Sequence, residues 1–245
     1  VTCNYELVDV TNKAEVTQLF KKYQPDIVFH AAAYKHVPVL ESNFMQAVKV
    51  NIFGTKNILD AAIEANTQRF VFISTDKAVN PTNVMGASKR IAEIYAQSSN
   101  SLQQTKFVTT RFGNVLGSNG SVIPLFERQI EQGGPITVTD ERVTRYFMTI
   151  PEAAQLVVQA SGIARGGEVF LLDMGKPVNI YEVAEQLVRN SGKPIKIEVV
   201  GLRVGEKVHE ELFGENEIDE RPRHPLISHV AVKPIDQSSL NTEPT

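Results

Sequence analysis

Asp76, Lys77 and Lys89 are the side chains best suited to move protons and fix a polar ligand. A carboxyl and an amine on adjacent residues can serve as acid and base in one reaction, if each carries the protonation state its role needs. A lysine acts as a base only when neutral, so its surroundings must favour the amine. A bare Asp-Lys pair is more often a solvated turn. The flanking sequence decides between the two.

The run Arg69-Phe70-Val71-Phe72-Ile73 precedes the pair and reads as a short buried strand. Beyond it, Ile91, Ile94, Tyr95 and Ser98 recur at helical spacing. Ser74 to Lys77 therefore fall where a strand ends, and Lys89 at the start of a helix. Ligands of open α/β sheets bind outside the carboxyl ends of the strands. The pattern thus gathers Asp76, Lys77 and Lys89 at one cleft. His30 and His36 lack a third ligand at metal-binding spacing, so they are read as structural and no metal is assigned.

The remaining elements fit the same plan. Tyr5–Val10 reads as a strand. Thr11 or Asn12 caps a helix whose apolar face holds Val16, Leu19, Phe20 and Tyr23. Ile27-Val28-Phe29 is a second strand, Phe44 to Asn66 a long helical region, and Phe107–Phe112 a strand entering the glycine-rich loop Gly113–Gly120. Strand alternating with helix implies an α/β fold with a doubly wound parallel sheet. After Ser121 the elements shorten: a helix near Leu125–Gln132, a strand at Ile136–Val138, a segment Arg145–Ile150, and a helix opened by Pro151 with Ala154, Val157 and Val158 on one face. Then come a strand at Val169–Leu172, a helix marked by Ile180, Val183, Ala184, Leu187 and Val188, and a half-exposed strand at Ile195–Val199. The expected division is a sheet domain over 1–120, a smaller mixed lobe over 121–229 with some segments returning to the sheet, and a polar tail over 230–245.

Composition narrows the function classes. The chain has 245 residues, 42% apolar and 22% charged, as soluble globular proteins do. A net charge of -3 argues against a general nucleic-acid surface. Cys3 is the one cysteine, which excludes an internal disulfide and suits a reducing compartment. No apolar run is long enough to span a bilayer, and no signal peptide is visible. A dinucleotide fold needs a Gly-x-Gly-x-x-Gly turn after its first strand, and none precedes Tyr5. Either no dinucleotide binds, or the chain lacks its first two strands, on the order of 50 residues.

The stretch Ser74-Thr-Asp-Lys-Ala-Val-Asn-Pro-Thr-Asn-Val-Met-Gly-Ala-Ser-Lys89 resembles the nucleotide-sugar 4,6-dehydratases of the extended short-chain dehydrogenase/reductase superfamily, and within them the capsular polysaccharide biosynthesis proteins of the CapD type. The resemblance covers nearly the whole chain. It includes His30–Pro38, Asn51–Asn57, Arg111–Ser118, Gly120–Pro124, Thr144–Thr149 and Gly201–Lys207. Each motif alone is modest; their order and joint presence are specific.

That resemblance implies a Rossmann-like sheet beginning, in this chain, at the third strand, with a smaller substrate-binding lobe. It implies a UDP-sugar substrate, most often UDP-N-acetylglucosamine, and a tightly held NAD or NADP, with NAD favoured. It assigns Asp76 as the acid and Lys77 as the base of water elimination. Lys89 resembles the lysine of Tyr-x-x-x-Lys, which bonds the nicotinamide ribose, while Met85 stands where the tyrosine would be. A thioether cannot accept the O4 proton; either Thr75, or Lys89 through water, takes it, or catalysis is impaired. Asp9 and Val10 match adenine contacts, and Ala31, Ala32, Lys35, Asn51 and Ser74 match cofactor contacts. Asn114, Ser121 and Val122 match the part that meets UDP. Arg145 and Arg203 match pyrophosphate partners, since guanidinium forks suit phosphate oxygens. Glu206 matches the acceptor of ribose hydroxyls. The resemblance further implies a homo-oligomer, cytoplasmic or at the cytoplasmic face of a membrane, with a membrane region in the longer protein. The 245 residues by themselves are expected to be inactive. A 4-epimerase and a non-catalytic sugar-nucleotide-binding domain are the alternatives.

Overall fold

The computed structural model describes residues 2–100, 104–118 and 120–232. In chain order the first half holds α1 (Lys13–Tyr23), β1 (Ile27–His30), α2 (Val37–Ser42), α3 (Phe44–Gln46), a π-helical stretch (Ala47–Gly54), α4 (Thr55–Glu64), β2 (Arg69–Ile73), a 3₁₀ turn (Asp76–Ala78), α5 (Val84–Ser99) and β3 (Lys106–Arg111). The second half holds β4 (Asn114–Val115), α6 (Val122–Glu131), β5 (Ile136–Val138), β6 (Thr144–Arg145), β7 (Phe147–Met148), α7 (Ile150–Ile163), β8 (Val169–Leu172), β9 (Val178–Asn179), α8 (Ile180–Ser191), β10 (Ile197–Val199) and β11 (Ile227–Val230).

The central sheet has five strands in the order β1-β2-β3-β8-β11. Its first four are mutually parallel and β11 runs antiparallel to β8. Strand side chains alternate between faces, and the sequence uses that period. Phe70, Phe72 and Phe107 pack on one face with α1, α4 and α5, through Val16, Phe20, Leu59, Ala62, Ala92 and Ala96. Val71 and Val108 point to the other, where Leu156, Val157 and Ala160 of α7 join Phe170 and Leu172. Two helical layers on a parallel sheet make this an α/β doubly wound fold. A further core of Phe126, Ile130, Ile136, Val138, Ile180 and Ala184 joins α6, α8 and β5. Around it, short ladders pair β5 with β10, β4 with β7 and β6 with β9. Thus β8, β11 and α7, all after Ser121, return to the central sheet.

Some expectations are corrected. Tyr5–Val10 is not a strand: Tyr5 and Leu7 are 92% and 102% exposed, and no neighbouring strand pairs with this segment among the described residues. A strand needs such a partner for its backbone groups. The segment is instead pinned at its end, where Asn57 Nδ2 donates to Val10 O at 3.1 Å. The long helical region expected from Phe44 is present without a break over 44–64, passing from α3 through the π stretch into α4. On α7 the buried face is Ala153, Leu156, Val157 and Ala160, while Val158 is exposed. Of the expected stripe of Ala154, Val157 and Val158, only Val157 faces the core, and Ala154 and Val158 are exposed. The polar tail begins later than residue 230, because Val230 closes β11 against Val169. Residues 233–245 of that tail lie outside the described residues, as does Asn119 of the glycine-rich loop. No helix among the described residues is long and apolar enough to cross a membrane.

Candidate functional site

β2 ends at Ile73, and the chain turns over the carboxyl edge of the sheet. Ser74 N donates to Thr110 O at 2.7 Å and Asp76 N to Phe112 O at 3.1 Å, extending the β2–β3 ladder into the turn. Thr75 caps the short 3₁₀ turn that carries Asp76 and Lys77. α5 then starts at Asn83, whose side chain accepts from Gly86 N at 2.8 Å and donates to Gly205 O at 3.1 Å. A Cβ on Gly86 would lie 2.2 Å from Lys77 O, so only glycine lets the helix approach the turn this closely.

These elements face a cleft of about 460 Å³, within the range of small-molecule sites. Ala31, Lys35, Ser74, Thr75, Lys77, Met85 and Lys89 line it, together with Asn114, Ser121, Val122, Arg145, Arg203 and Glu206. Asp76, Ala32, Asn51, Asp9 and Val10 are not among the lining residues. Asp76 is buried directly beneath: a Cβ on the lining Gly113 would lie 3.0 Å from Asp76 Oδ2. Asn51 is fully buried and acts as a clamp. Its amide accepts from Tyr34 N at 2.8 Å and donates to Tyr34 O at 3.0 Å and Ser88 Oγ at 2.9 Å, tying the loop after β1 to α5. Asp9 is occupied locally, its Oδ1 accepting from Thr11 N and Oγ1 at 2.9 Å.

Lys77 Nζ is held by Asp76 Oδ1 at 3.0 Å and Asn114 Oδ1 at 3.1 Å, with Glu210 Oε1 at 3.5 Å. Thr75 Oγ1 also donates to Asp76 Oδ1, at 2.9 Å. Asp76 Oδ2 is buried without a hydrogen-bond partner among the described residues. Such an oxygen is costly to leave unmet, and it suits a group that receives a substrate hydroxyl or a proton. Lys89 Nζ donates to Ile73 O at 2.5 Å and lies 4.1 Å from the centre of the Phe72 ring. Burial lowers its pKa to about 8, with Glu93 pulling the other way. His30 bonds Thr55 Oγ1 at 3.0 Å and stacks against Phe72; burial first, and then the charge of Lys89, lower its pKa to about 4. Met85 is buried beside Leu40 and Ala47 at the cleft wall.

Arg145 and Glu206 were read from the sequence as separate ligands of pyrophosphate and ribose. They are bonded to each other, Arg145 NH2 to Glu206 Oε1 at 2.9 Å, and Arg145 NH1 donates to Thr144 O and Val208 O. Arg203, by contrast, is exposed at the cleft rim. Ser121 stands at the N-terminus of α6 with its Oγ buried and unpartnered among the described residues. Sequence reading missed Glu210. It lies in the irregular segment after β10, where no periodicity marks a residue as inward-facing, and only the return of that segment brings it to Lys77.

Comparison with known proteins fits this architecture. The family model described as polysaccharide biosynthesis protein matches residues 1–232. The capsular polysaccharide biosynthesis protein CapD of Staphylococcus aureus is 57% identical over 86% of this chain, which spans 36% of that protein. The UDP-N-acetylglucosamine 4,6-dehydratase (inverting) of Campylobacter jejuni is 34% identical over 96% of this chain and 70% of its own length. A UDP-glucose 4-epimerase of Rickettsia canadensis is 39% identical over 86% of this chain and 62% of its own length. Among solved structures, Pen from Bacillus thuringiensis superposes with a TM-score of 0.82 at 36% identity, covering 97% of this chain and 79% of that one. The fold is that of the Rossmann-type short-chain dehydrogenase/reductase architecture. The chain belongs to the polysaccharide biosynthesis protein family that the matched model defines.

Proposed function

We propose that this chain carries the catalytic site of a UDP-N-acetylglucosamine 4,6-dehydratase that works with a nicotinamide cofactor, NAD in preference to NADP. The observation that carries the reading is the pairing of Lys77 with Asp76 at the strand ends, beside a cleft that Asn114, Ser121 and Arg203 also line. The 4,6-dehydratase relative and the capsule-biosynthesis relative support it.

The residues present fit the nicotinamide-ribose half of the cofactor. Lys89 holds a buried amine at the cleft wall with one proton on Ile73 O, and the small Ala31 and Ala33 line the cleft beside it. Ser74, Lys35 and Ala32 would complete that end, with Asn51 fixing the loop and Asp9 and Val10 toward the adenine. The cofactor, when bound, takes hydride from C4 of the sugar and returns it to C6.

The chain's own residues handle the protons. Once C4 is a ketone the C5 proton is acidic. Lys77, as the amine, removes it, and Asp76, protonated, gives a proton to the C6 oxygen. The C5–H and C6–O bonds break, a C5–C6 double bond forms and water leaves; when C6 gains hydride that double bond is lost, and C5 takes a proton back from Lys77 or from solvent. Thr75, or Lys89 through a water, takes the O4 proton where Met85 cannot. The first turn of α6, from Val122 onward, offers backbone N–H to the diphosphate, Ser121 N being taken by Ser118 O at 3.1 Å, and Arg203 adds a guanidinium fork. Arg145 and Glu206, joined as a pair, shape the nucleotide end together.

The 4-epimerase relative supports a second reading with the same fold. Epimerisation eliminates no water and so has no use for the Asp76-Lys77 pair, and it ordinarily relies on the tyrosine that Met85 replaces. One experiment separates the readings. The full-length protein is incubated with UDP-N-acetylglucosamine and the nucleotide sugars are resolved by mass spectrometry. A 4-keto-6-deoxy product, lighter by one water, is expected; a product of unchanged mass epimeric at C4 would establish the epimerase instead, and unchanged substrate a binding domain.

A further inference from the structure

We propose that Glu210 is the positioning residue of Lys77: it holds the amine at the cleft and sets the pH at which Lys77 turns from ammonium to amine. This rests on Lys77 being the base of the proposed reaction. The geometry comes first. Glu210 is a buried carboxylate, 9% exposed, and it lines the cleft. Its Oε1 is 3.5 Å from Lys77 Nζ, on an amine that Asp76 Oδ1 holds at 3.0 Å and Asn114 Oδ1 at 3.1 Å. Three acceptors on three different segments fix the nitrogen in space. Two of them are carboxylates, and the Asp76 carboxyl is itself buried.

The charged groups around Lys77 are few. Asp76 faces it from the 3₁₀ turn and Glu210 from the segment after β10. Arg145 on β6 stands behind Glu210, its Nε 3.9 Å from Oε1, but Glu206 takes that guanidinium at 2.9 Å. Glu210 is therefore free to act mainly on Lys77. A carboxylate this close attracts the ammonium more strongly than the neutral amine. Removing the charge but keeping the shape, in Glu210→Gln, should release the proton at lower pH. Glu210 also sits on the strand of chain that clasps the far end of the Asp-Lys loop: Lys207 Nζ donates to Val79 O at 3.1 Å. The same segment thus holds the loop and tunes its lysine.

Two readouts on the full-length protein test this. The first is independent of turnover: competitive labelling of Lys77 with an amine-reactive reagent across pH, read by peptide mass spectrometry. The second is the pH profile of kcat for UDP-N-acetylglucosamine. In Glu210→Gln both the labelling midpoint and the rise of kcat should move to lower pH, with the thermal midpoint little changed. Glu210→Asp, which keeps the charge but draws it back, should fall between the two and keeps the test open if the glutamine variant folds poorly. A purely structural glutamate would lower the thermal midpoint and leave the Lys77 labelling midpoint of the folded variants where it was; that result overturns the proposal. Absence of any dehydrated product from the wild type would instead overturn the proposed reaction, while the labelling midpoints would still decide the role of Glu210.

Discussion

Arg111 and Glu93 are joined by two parallel hydrogen bonds, Nε to Oε1 and NH2 to Oε2, both 2.9 Å, with both side chains almost wholly buried. Arg111 ends β3, just before Gly113 and Asn114 of the cleft. Glu93 lies on α5 one turn beyond Lys89. The pair therefore fixes the helix that carries Met85 and Lys89 against the strand that delivers Asn114. Glu217 adds a second carboxylate on Arg111 NH1 at 2.9 Å, and Arg90 a second cation on Glu93 at 2.9 Å. Burial alone would raise the Glu93 carboxyl, but the charge and bonds of Arg111 outweigh it and hold the carboxyl below its ordinary range.

The first prediction concerns that pair. Arg111→Leu leaves Glu93 buried with only the partly exposed Arg90. Breaking one side of a buried ion pair costs about 3–5 kcal/mol. The variant should unfold at clearly lower urea concentration. Arg111→Leu with Glu93→Leu should recover part of the loss, because the fully buried Glu93 charge is gone, while Glu217 and Arg90 each lose one partner. If the double variant is no more stable than the single one, the pair is not the source of the effect.

A second prediction follows from Gly86. Its missing Cβ is the space in which Lys77 O sits, at 2.2 Å from where the atom would be. Backbone cannot yield as a side-chain tip can. Gly86→Ala should therefore push the Asp-Lys turn away from α5, displacing Lys77 from Asn114. Overpacking of this kind costs about 1–3 kcal/mol, and activity should fall far more than that stability loss explains. Gly175→Ala makes a useful contrast, since nothing lies within 4 Å of its added Cβ, although its φ of 64° adds backbone strain.

Much of this was legible from residue order, for a definite reason. The alternation of Phe70, Val71 and Phe72, and of Phe107 and Val108, is a local pattern that survives into the two faces of the sheet. So is the helix opened at Pro151, whose start Thr149 and Glu152 close with a capping box. The strand expected at Tyr5–Val10 has the right residues, but strand formation depends on a neighbour, which sequence does not display. The Arg145–Glu206 bond and the approach of Glu210 to Lys77 both join residues some sixty or more positions apart, with several helices and strands between them. Each residue could be noticed alone; only the folded path of the segment after β10 makes them partners.

Lys77→Ala is the third prediction. Lys77 is assigned to proton transfer, so its removal should abolish dehydration while UDP-sugar binding by calorimetry stays within a few-fold. Loss of one acid–base group lowers the rate by a factor of about 10²–10⁴. Activity close to wild type would move the base to another side chain, with Glu210 the nearest remaining carboxylate on the cleft wall.

The last prediction concerns pH and Lys89. Burial lowers this amine to about 8, against the opposing pull of Glu93, whereas an unfolded lysine titrates near about 10.4. Between these values the unfolded chain binds more protons than the native one. Stability therefore rises with pH across that window. Below about 8 the native state bears the full penalty of a buried ammonium, about 3 kcal/mol from a shift of this size. Above about 10 the penalty vanishes. His30 gives a parallel window at lower pH, because burial holds it to about 4 and the unfolded ring takes up protons first. The check on Lys89 is a comparison of unfolding free energies with and without the ammonium. Lys89→Met keeps the packing over Phe72 and removes the charge. The difference between wild type and variant, measured without cofactor, should favour the variant near pH 7 and shrink steadily between pH 8 and about 10. A difference that stays flat across that range would mean that Lys89 keeps an ordinary proton affinity in the folded protein.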